Sequence, residues 1–195
     1  MKKLQPSAPG RARAADPARL DVRQFAGDAA RLSGELPLTG LQRLQASLWR
    51  ADDGGPGGDP AAWSAEGGEA RVAGSGPVPW LHLRAQAEVL MECQRCLQPM
   101  RVPVHVDRRF RFVASEAEAE AQDLDSEDEV LALPAALDLP ALVEDELILA
   151  LPLVPRHERC EPPAPLADEA PDERPERPHP FAALEALKRG RQGGH

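Results

Sequence analysis

Two long runs of alternating apolar and polar residues lie at the centre of the chain. The first run has six apolar positions two residues apart: Leu81, Leu83, Ala85, Ala87, Val89 and Met91. The second has five: Val102, Val104, Val106, Phe110 and Phe112. A period of two is typical of half-buried strands. Pro99 lies between the runs and marks a loop, because proline cannot donate to a sheet ladder. The pattern therefore predicts a long antiparallel hairpin over residues 81–113.

A different period, that of a helix, appears in residues 139–151. Asp138 is suited to cap this helix, Pro140 lies in its first turn, and Pro152 ends it. The predicted apolar face consists of Leu139, Leu142, Val143, Leu147, Ala150 and Leu151. Glu144, Asp145 and Glu146 lie towards the other side, with Glu144 and Asp145 predicted to be the more exposed. These acids could form a paired-carboxylate active site, but the polar side of an amphipathic helix is the simpler interpretation.

Shorter segments complete the predicted fold. They are an amphipathic segment (18–30), a strand (31–38), a segment that could be helix or strand (41–48), a hairpin turning at Gly67 and Gly68 (63–73), and an edge strand (130–133). Together they predict an α+β domain over residues 18–160. Its antiparallel sheet of four to six strands is centred on the long hairpin, with one or two helices packed on it. Residues 1–17 are predicted to be a disordered tail, and residues 161–195 a proline-rich, charged tail with a short C-terminal helix.

The charge distribution bears on possible partners. The net charge is −9, which argues against a broad groove for nucleic acid, since phosphate contacts need a basic face. Residues 115–129 contain acidic but no basic side chains, so residues 114–129 are predicted to be a flexible loop. Four arginines lie on or beside the second hairpin strand: Arg101, Arg108, Arg109 and Arg111. They could contact RNA locally, or they could simply form a solvated strand face.

Two pairs of candidate metal ligands have the same two-residue spacer. Cys93 and Cys96 form C-x-x-C, and His157 and Cys160 form H-x-x-C. Such pairs can supply four ligands to a tetrahedral zinc ion. The alternatives are a cysteine that is merely a small buried apolar residue, a surface histidine, and a redox-active dithiol. The dithiol is disfavoured because this C-x-x-C begins a hairpin loop rather than joining a strand to a helix.

Several functional classes find no support in the sequence. No apolar run approaches the roughly 20 residues of a membrane span, and the N-terminus lacks the apolar region of a secretory signal. Together with the odd number of cysteines, this favours the cytoplasm. Neither a glycine-rich phosphate loop nor a G-x-S-x-G elbow is present. We therefore expect no enzyme and no small-molecule substrate.

Three stretches resemble the YceD family of bacterial large ribosomal RNA subunit accumulation proteins. They are LMECQRCLQP (residues 90–99), LPALVEDELILALPLVPRHERCE (139–161) and RPHPFAALEALKRG (177–190). The matching positions are Cys93, Cys96, Leu97, Pro99, Glu144, Glu146, Leu149, Leu151, Pro152 and Cys160. Some members of that family have more cysteines near the last one, whereas this chain has His157 with Cys160.

The resemblance implies a non-enzymatic factor that supports accumulation of large-subunit (23S) ribosomal RNA. It would act by binding a ribosomal protein or precursor RNA. Two alternatives from other classes stay open. One is a zinc-stabilised nucleic-acid-binding module, which salt-dependent RNA binding would favour. The other is a thiol oxidoreductase, which dithiol exchange at Cys93 would favour.

Overall fold

The structure, a computed structural model, describes residues 15–50, 54–71, 76–124 and 126–163. The predicted C-terminal helix and most of the predicted N-terminal tail lie outside these residues. The chain divides into two units, Met1–Pro162 and Pro163–His195. The helices and strands of the described residues all belong to the first unit.

A five-stranded sheet forms the framework. Its strands are β1 (Arg31–Leu36), β2 (Ala61–Arg71), β3 (Pro77–Glu92), β4 (Pro99–Val113) and β5 (Glu129–Ala132), and they lie side by side in that order. The first four are antiparallel neighbours. β3 and β4 pair from Glu92 opposite Pro99 to Trp80 opposite Arg111, which confirms the predicted long hairpin. The α+β class, the strand number and the edge strand are likewise confirmed.

The edge strand β5 runs parallel to β4, which the sequence pattern did not predict. Its direction follows from the connection between the two strands. A helix, α3 (Glu116–Asp123), lies between them in sequence, so the chain returns before β5 begins. Parallel neighbours require such a crossover, whereas a tight turn would have made β5 antiparallel.

The predicted hairpin at Gly67 and Gly68 is wrong, because β2 continues straight through both glycines. The glycines are needed for close approach and not for a turn. A Cβ atom on Gly67 would lie 2.5 Å from Cδ1 of Phe25, and one on Gly68 would lie 2.2 Å from Cζ2 of Trp80. Such distances are too short for two carbon atoms that are not bonded to each other. Only glycine therefore lets these aromatic side chains pack directly on the backbone of β2.

The described residues contain three further α-helices, α1 (Val22–Gly27), α2 (Gln42–Gln45) and α4 (Leu139–Leu149), and two short 3₁₀ helices, Pro17–Arg19 and Leu38–Gly40. The cap of α4 is as predicted, since the Asp138 carboxylate accepts a hydrogen bond of 3.0 Å from the N–H of Ala141. Leu139, Val143 and Leu147 are fully buried and join the inward-facing residues of β3 and β4 in one core. The apolar face of α4 therefore attaches the helix to one side of the sheet.

The acidic segment is not a loop throughout, because its first half forms α3. The Ser115 hydroxyl accepts from the N–H of Glu118, and the Glu118 carboxylate accepts from the N–H of Ala114. This reciprocal arrangement is close to a capping box, and acids in a first turn complement the helix dipole. Ala119 packs with Val113 and Val130 in a second, small apolar cluster. Capping and this contact outweigh the repulsion on which the loop prediction relied.

Glu144 is buried rather than exposed, which corrects the predicted polar side of α4. Its side chain accepts backbone hydrogen bonds from Arg43 at 2.7 Å and from Leu44 at 3.1 Å, at the start of α2. The Arg43 guanidinium also binds this carboxylate, at 3.0 Å, and pairs with Asp145. Both carboxylates are thus engaged by Arg43, and Glu144 joins α4 to α2.

Candidate metal centre

The candidate site lies at the tip of the β3–β4 hairpin, where the segment that follows α4 reaches it. The tip is tight: the N–H of Leu97 donates to the carbonyl of Cys93, and the N–H of Cys93 donates to the carbonyl of Gln98. Leu97 has a φ of 59°, in the left-handed region. This turn brings Cys93 and Cys96 onto the same side of the tip, where they face His157 and Cys160.

The structure brings the four predicted ligands together. Their ligand atoms all lie within 4.8 Å of one another. The Cys93 and Cys160 sulfurs are 3.8 Å apart, and the Cys96 sulfur is 3.3 Å from Nδ1 of His157. Ligands at about 2.0 to 2.3 Å from a tetrahedral ion are about 3.3 to 3.8 Å from each other. The cluster therefore has the dimensions of a Cys₃His metal site.

Three hydrogen bonds hold the two ligand-bearing segments against each other. The N–H of Gln94 donates to the carbonyl of Pro155 at 2.9 Å, and Arg95 Nη1 donates to the carbonyl of Cys160 at 3.2 Å. The N–H of His157 donates to the Cys93 sulfur at 3.4 Å. Sequence reasoning missed the roles of Gln94, Arg95 and Pro155. Their only signal is position, since two fill the C-x-x-C spacer and the third precedes the H-x-x-C motif.

The three thiols differ in burial, and the pKa values of Cys93 and Cys160 are shifted in opposite directions. Cys93 is buried, whereas Cys96 and Cys160 are half-buried. Burial opposes ionisation of Cys93, but backbone N–H donors of Cys96, His157 and Arg95 and the Cys96 side chain outweigh it, and they lower its pKa to about 5. For Cys160, burial and the neighbouring Cys93 and Cys96 raise the pKa. A buried thiolate with hydrogen-bond donors around it is a suitable ligand for a cation.

The four arginines of the predicted RNA contact do not share one surface. Arg101, Arg109 and Arg111 alternate with the buried valines and phenylalanines of β4, so they lie on the outer face of the sheet. Arg108 lies on the opposite face, where its Nη2 contacts Glu129 at 2.9 Å and its Nε contacts Glu146 at 3.5 Å. RNA contact by this group of residues stays a prediction.

The outer-face arginines each have partners within the fold. Arg101 pairs with Glu88. Arg109 lies 4.5 Å above the Trp80 ring and 3.8 Å from the Asp128 carboxylate, a cation–π contact together with an ion pair. Arg111 donates to the Ser126 hydroxyl at 3.2 Å. Much of their charge is therefore neutralised locally.

None of the helices in the described residues has both the length and the apolar character needed to cross a membrane.

Comparison with known proteins identifies the family to which the chain belongs. The profile of the family described as "Large ribosomal RNA subunit accumulation protein YceD" matches residues 81–188. A relative of that name from Haemophilus influenzae is 39% identical over 111 residues, which are 54% of this chain and 63% of the relative. The chain thus spans less than two thirds of that relative, and no solved structure matches it. Because the family profile covers more than half of the sequence, including the cluster, the chain belongs to the YceD family.

Proposed function

We propose that the protein is a non-enzymatic factor of the cytoplasm that supports the accumulation of large-subunit ribosomal RNA. The observation behind the proposal is the family match over residues 81–188, which includes the hairpin and the entire cluster. The relative from Haemophilus influenzae is named for this role. The proposal extends that role to this chain.

We further propose that Cys93, Cys96, His157 and Cys160 bind zinc. The inter-ligand distances of 3.8 and 3.3 Å and the mixed sulfur and imidazole donors suit zinc better than magnesium or calcium, which prefer oxygen. Four protein ligands leave no open coordination position, which is typical of a structural site. When bound, the ion would hold the hairpin tip to the segment after α4. The residues around it provide the buried thiolate and the backbone donors.

A basic ribosomal protein is the partner that the charges favour over naked RNA. The net charge is −9, and Arg101, Arg108 and Arg109 are each paired with a carboxylate. The acids of α3 are exposed, and no cation pairs with Glu116 or Glu120 among the described residues. An acidic surface of this kind attracts a basic partner and accelerates its association.

The metal proposal is tested on the purified full-length chain by measuring bound zinc and thermal stability, with and without a chelator. We expect one zinc per chain in the wild type, and less zinc with a lower Tm in Cys96→Ser and in Cys160→Ser. His82→Gln, which changes a histidine outside the cluster, is the matched control and should retain zinc. Equal zinc content in all four proteins would exclude this site. Dithiol exchange activity in zinc-free protein would instead favour the thiol oxidoreductase.

The cellular role is tested by depleting the protein and measuring both ribosomal RNAs. We expect large-subunit RNA to fall more than small-subunit RNA. Wild-type protein should restore it, a variant with Cys93→Ser and Cys96→Ser should not, and replacement of the four arginines by serine should restore it nearly fully. Equal loss of both RNAs would contradict the proposal. Failure of the arginine variant, with steeply salt-dependent binding to RNA, would make RNA the direct partner.

A further inference from the structure

One edge of the sheet is left open along most of its length. β4 extends over Pro99–Val113, but β5 pairs only with its last four residues, Phe110 to Val113. The other side of the hairpin, along β3, is different. Where β3 extends beyond β2, Trp49 and Gly57 bond to the backbone of Leu90, and Asp59 bonds to that of Glu88. Residues 99–109 of β4 have no such cover among the described residues, so this edge is available for pairing.

The direction of the open backbone groups can be read from the hydrogen bonds. The carbonyl of Val113 accepts from the N–H of Leu133, on the β5 side. Because backbone direction alternates along a strand, the odd-numbered residues of β4 point away from β3. Pro103, which has no N–H, is one of these outward positions. The open donors are therefore the N–H groups of Arg101, His105, Asp107 and Arg109, and no backbone carbonyl of the described residues bonds to them.

We propose that this edge pairs with the same edge of a second copy of the chain. Two β4 strands would run antiparallel about a twofold axis at Val104 and would join the two sheets into one. In this register Arg101 of each copy lies opposite Asp107 of the other, and Val102 lies opposite Val106. Opposite charges directly across a strand pair stabilise it, and so do paired β-branched residues. Arg101 and Asp107 have exposed side chains on the outer face. Within one copy Arg101 pairs with Glu88, and Asp107 pairs with His82 and Arg84, so the pair across the axis would extend these contacts.

Neighbouring registers are less favourable, so the strand specifies one pairing. A twofold axis at Pro103 would place Arg101 opposite His105 and Asp107 opposite Pro99, so both opposite-charge pairs would be lost. An axis at His105 would place Arg101 opposite Arg109 in both halves, and like charges directly across are destabilising. The axis at Val104 avoids both problems. It retains the outward donors of Arg101, His105 and Asp107, each facing a carbonyl.

The interface is small, so the dimer should depend on concentration. Stable complexes bury about 800 Å² per partner, more than a single strand pair provides. Charged residues and proline on an edge commonly prevent self-association. Here the positive and negative positions match under the twofold axis, and Pro103 costs one donor per strand.

Charge reversal tests the register on the full-length protein. Arg101→Asp places two acids opposite each other, and Asp107→Arg places two arginines opposite each other, so each variant alone should be monomeric in sedimentation analysis. Mixed together, the two variants regain both opposite-charge pairs and should form a heterodimer. A mixture that stays monomeric while the wild type dimerises would overturn the register.

A backbone variant tests the edge without changing a charge pair. His105→Pro removes an N–H that has no partner in the monomer, so stability should be kept and dimerisation lost. His105→Thr keeps the N–H and should still dimerise. In the wild type, the amides of His105 and Asp107 should become protected from hydrogen exchange as concentration rises. Rapid exchange at every concentration, or protection that does not depend on concentration, would overturn the proposal. The latter would mean that the chain covers its own edge.

Discussion

The two acidic runs of the chain lie in different surroundings. In the first, on α3, Glu116 and Glu120 are exposed to solvent. In the second, on α4, Glu144 and Glu146 are buried, with 8% and 5% of their surfaces exposed. Glu144 binds the first turn of α2, and Glu146 lies 3.5 Å from Arg108. The number of acids in a run therefore does not determine whether they are solvated.

The difference arises from what lies across the fold. α3 packs through Ala119 on a small apolar cluster at the edge of the sheet, so its acids point to water. α4 packs between the sheet and α2, so acids on its flanks meet the backbone N–H groups of α2 and the side chains of two arginines. A buried carboxylate is tolerated where donors surround it. Removal of the Glu144 carboxylate should consequently cost more than removal of an exposed acid in the first run.

The largest effect is expected from Glu144→Ala. The change removes the acceptor for the N–H groups of Arg43 and Leu44 and leaves both donors at the start of α2 without it. Loss of a cap and burial of unpaired donors together should lower the free energy of unfolding by about 2–4 kcal/mol. Denaturant unfolding measures this loss.

Two variants serve as controls for that measurement. Glu144→Gln keeps an oxygen acceptor and should lose roughly half as much, since a neutral acceptor is weaker than a charged one. Glu120→Ala, in the exposed run, should change stability by less than about 0.5 kcal/mol. Equal losses for Glu144→Ala and Glu120→Ala would mean that burial does not distinguish the two runs.

The fold was predictable where the chain itself shows a period. The hairpin of β3 and β4 and the helix α4 follow from alternation and from the Asp138 cap. The prediction of a turn at Gly67 and Gly68 was wrong because glycine is also required where an aromatic side chain packs closely on the backbone. Here those side chains are Phe25 and Trp80. Glu144 was wrongly predicted to be exposed because its partner Arg43 lies about one hundred residues earlier in the sequence. No local pattern records contacts of that range.

The candidate site was predictable for a related reason. Each half, C-x-x-C and H-x-x-C, is a local motif, and shared chemistry links the halves although about sixty residues separate them. The residues that hold the two halves together form no recognisable sequence motif. Gln94 and Pro155 act through backbone groups, which every residue possesses. The two motifs therefore identified the ligands but not the residues whose hydrogen bonds hold the two halves together.

A smaller effect, dependent on pH, is expected from Glu146→Gln. Burial is the main cause that raises the pKa of Glu146, and nearby Glu129 adds to it, while Arg108 opposes it. Folding thus favours the protonated acid. The stability that protonation contributes is fully present below the unfolded pKa, and it is lost as pH rises through the folded pKa. Glutamine is neutral throughout, so it should stabilise the protein near neutral pH by about 1 kcal/mol or less after solvent screening.

Unfolding measured at several pH values tests the sign of this effect. The advantage of Glu146→Gln over the wild type should shrink as pH falls, because the wild-type carboxylate then becomes neutral as well. Glu127→Gln, at an exposed acid after the end of α3, should show little advantage at any pH. A loss of stability in Glu146→Gln near neutral pH would indicate that attraction to Arg108 outweighs desolvation.

The smallest effect is expected from Ser115→Ala, which removes the cap of α3. The Ser115 hydroxyl accepts from the N–H of Glu118, and both residues are exposed. Caps contribute about 0.5–2 kcal/mol, and the low end applies here because water can replace the hydroxyl. The change should accelerate amide exchange at Glu118 while the amides of β3 keep their protection. Ser115→Asp retains an acceptor and should exchange like the wild type. If Ser115→Ala instead lowered the protection of β3, α3 would unfold together with the sheet, and the first acidic run would be as integral to the fold as the second.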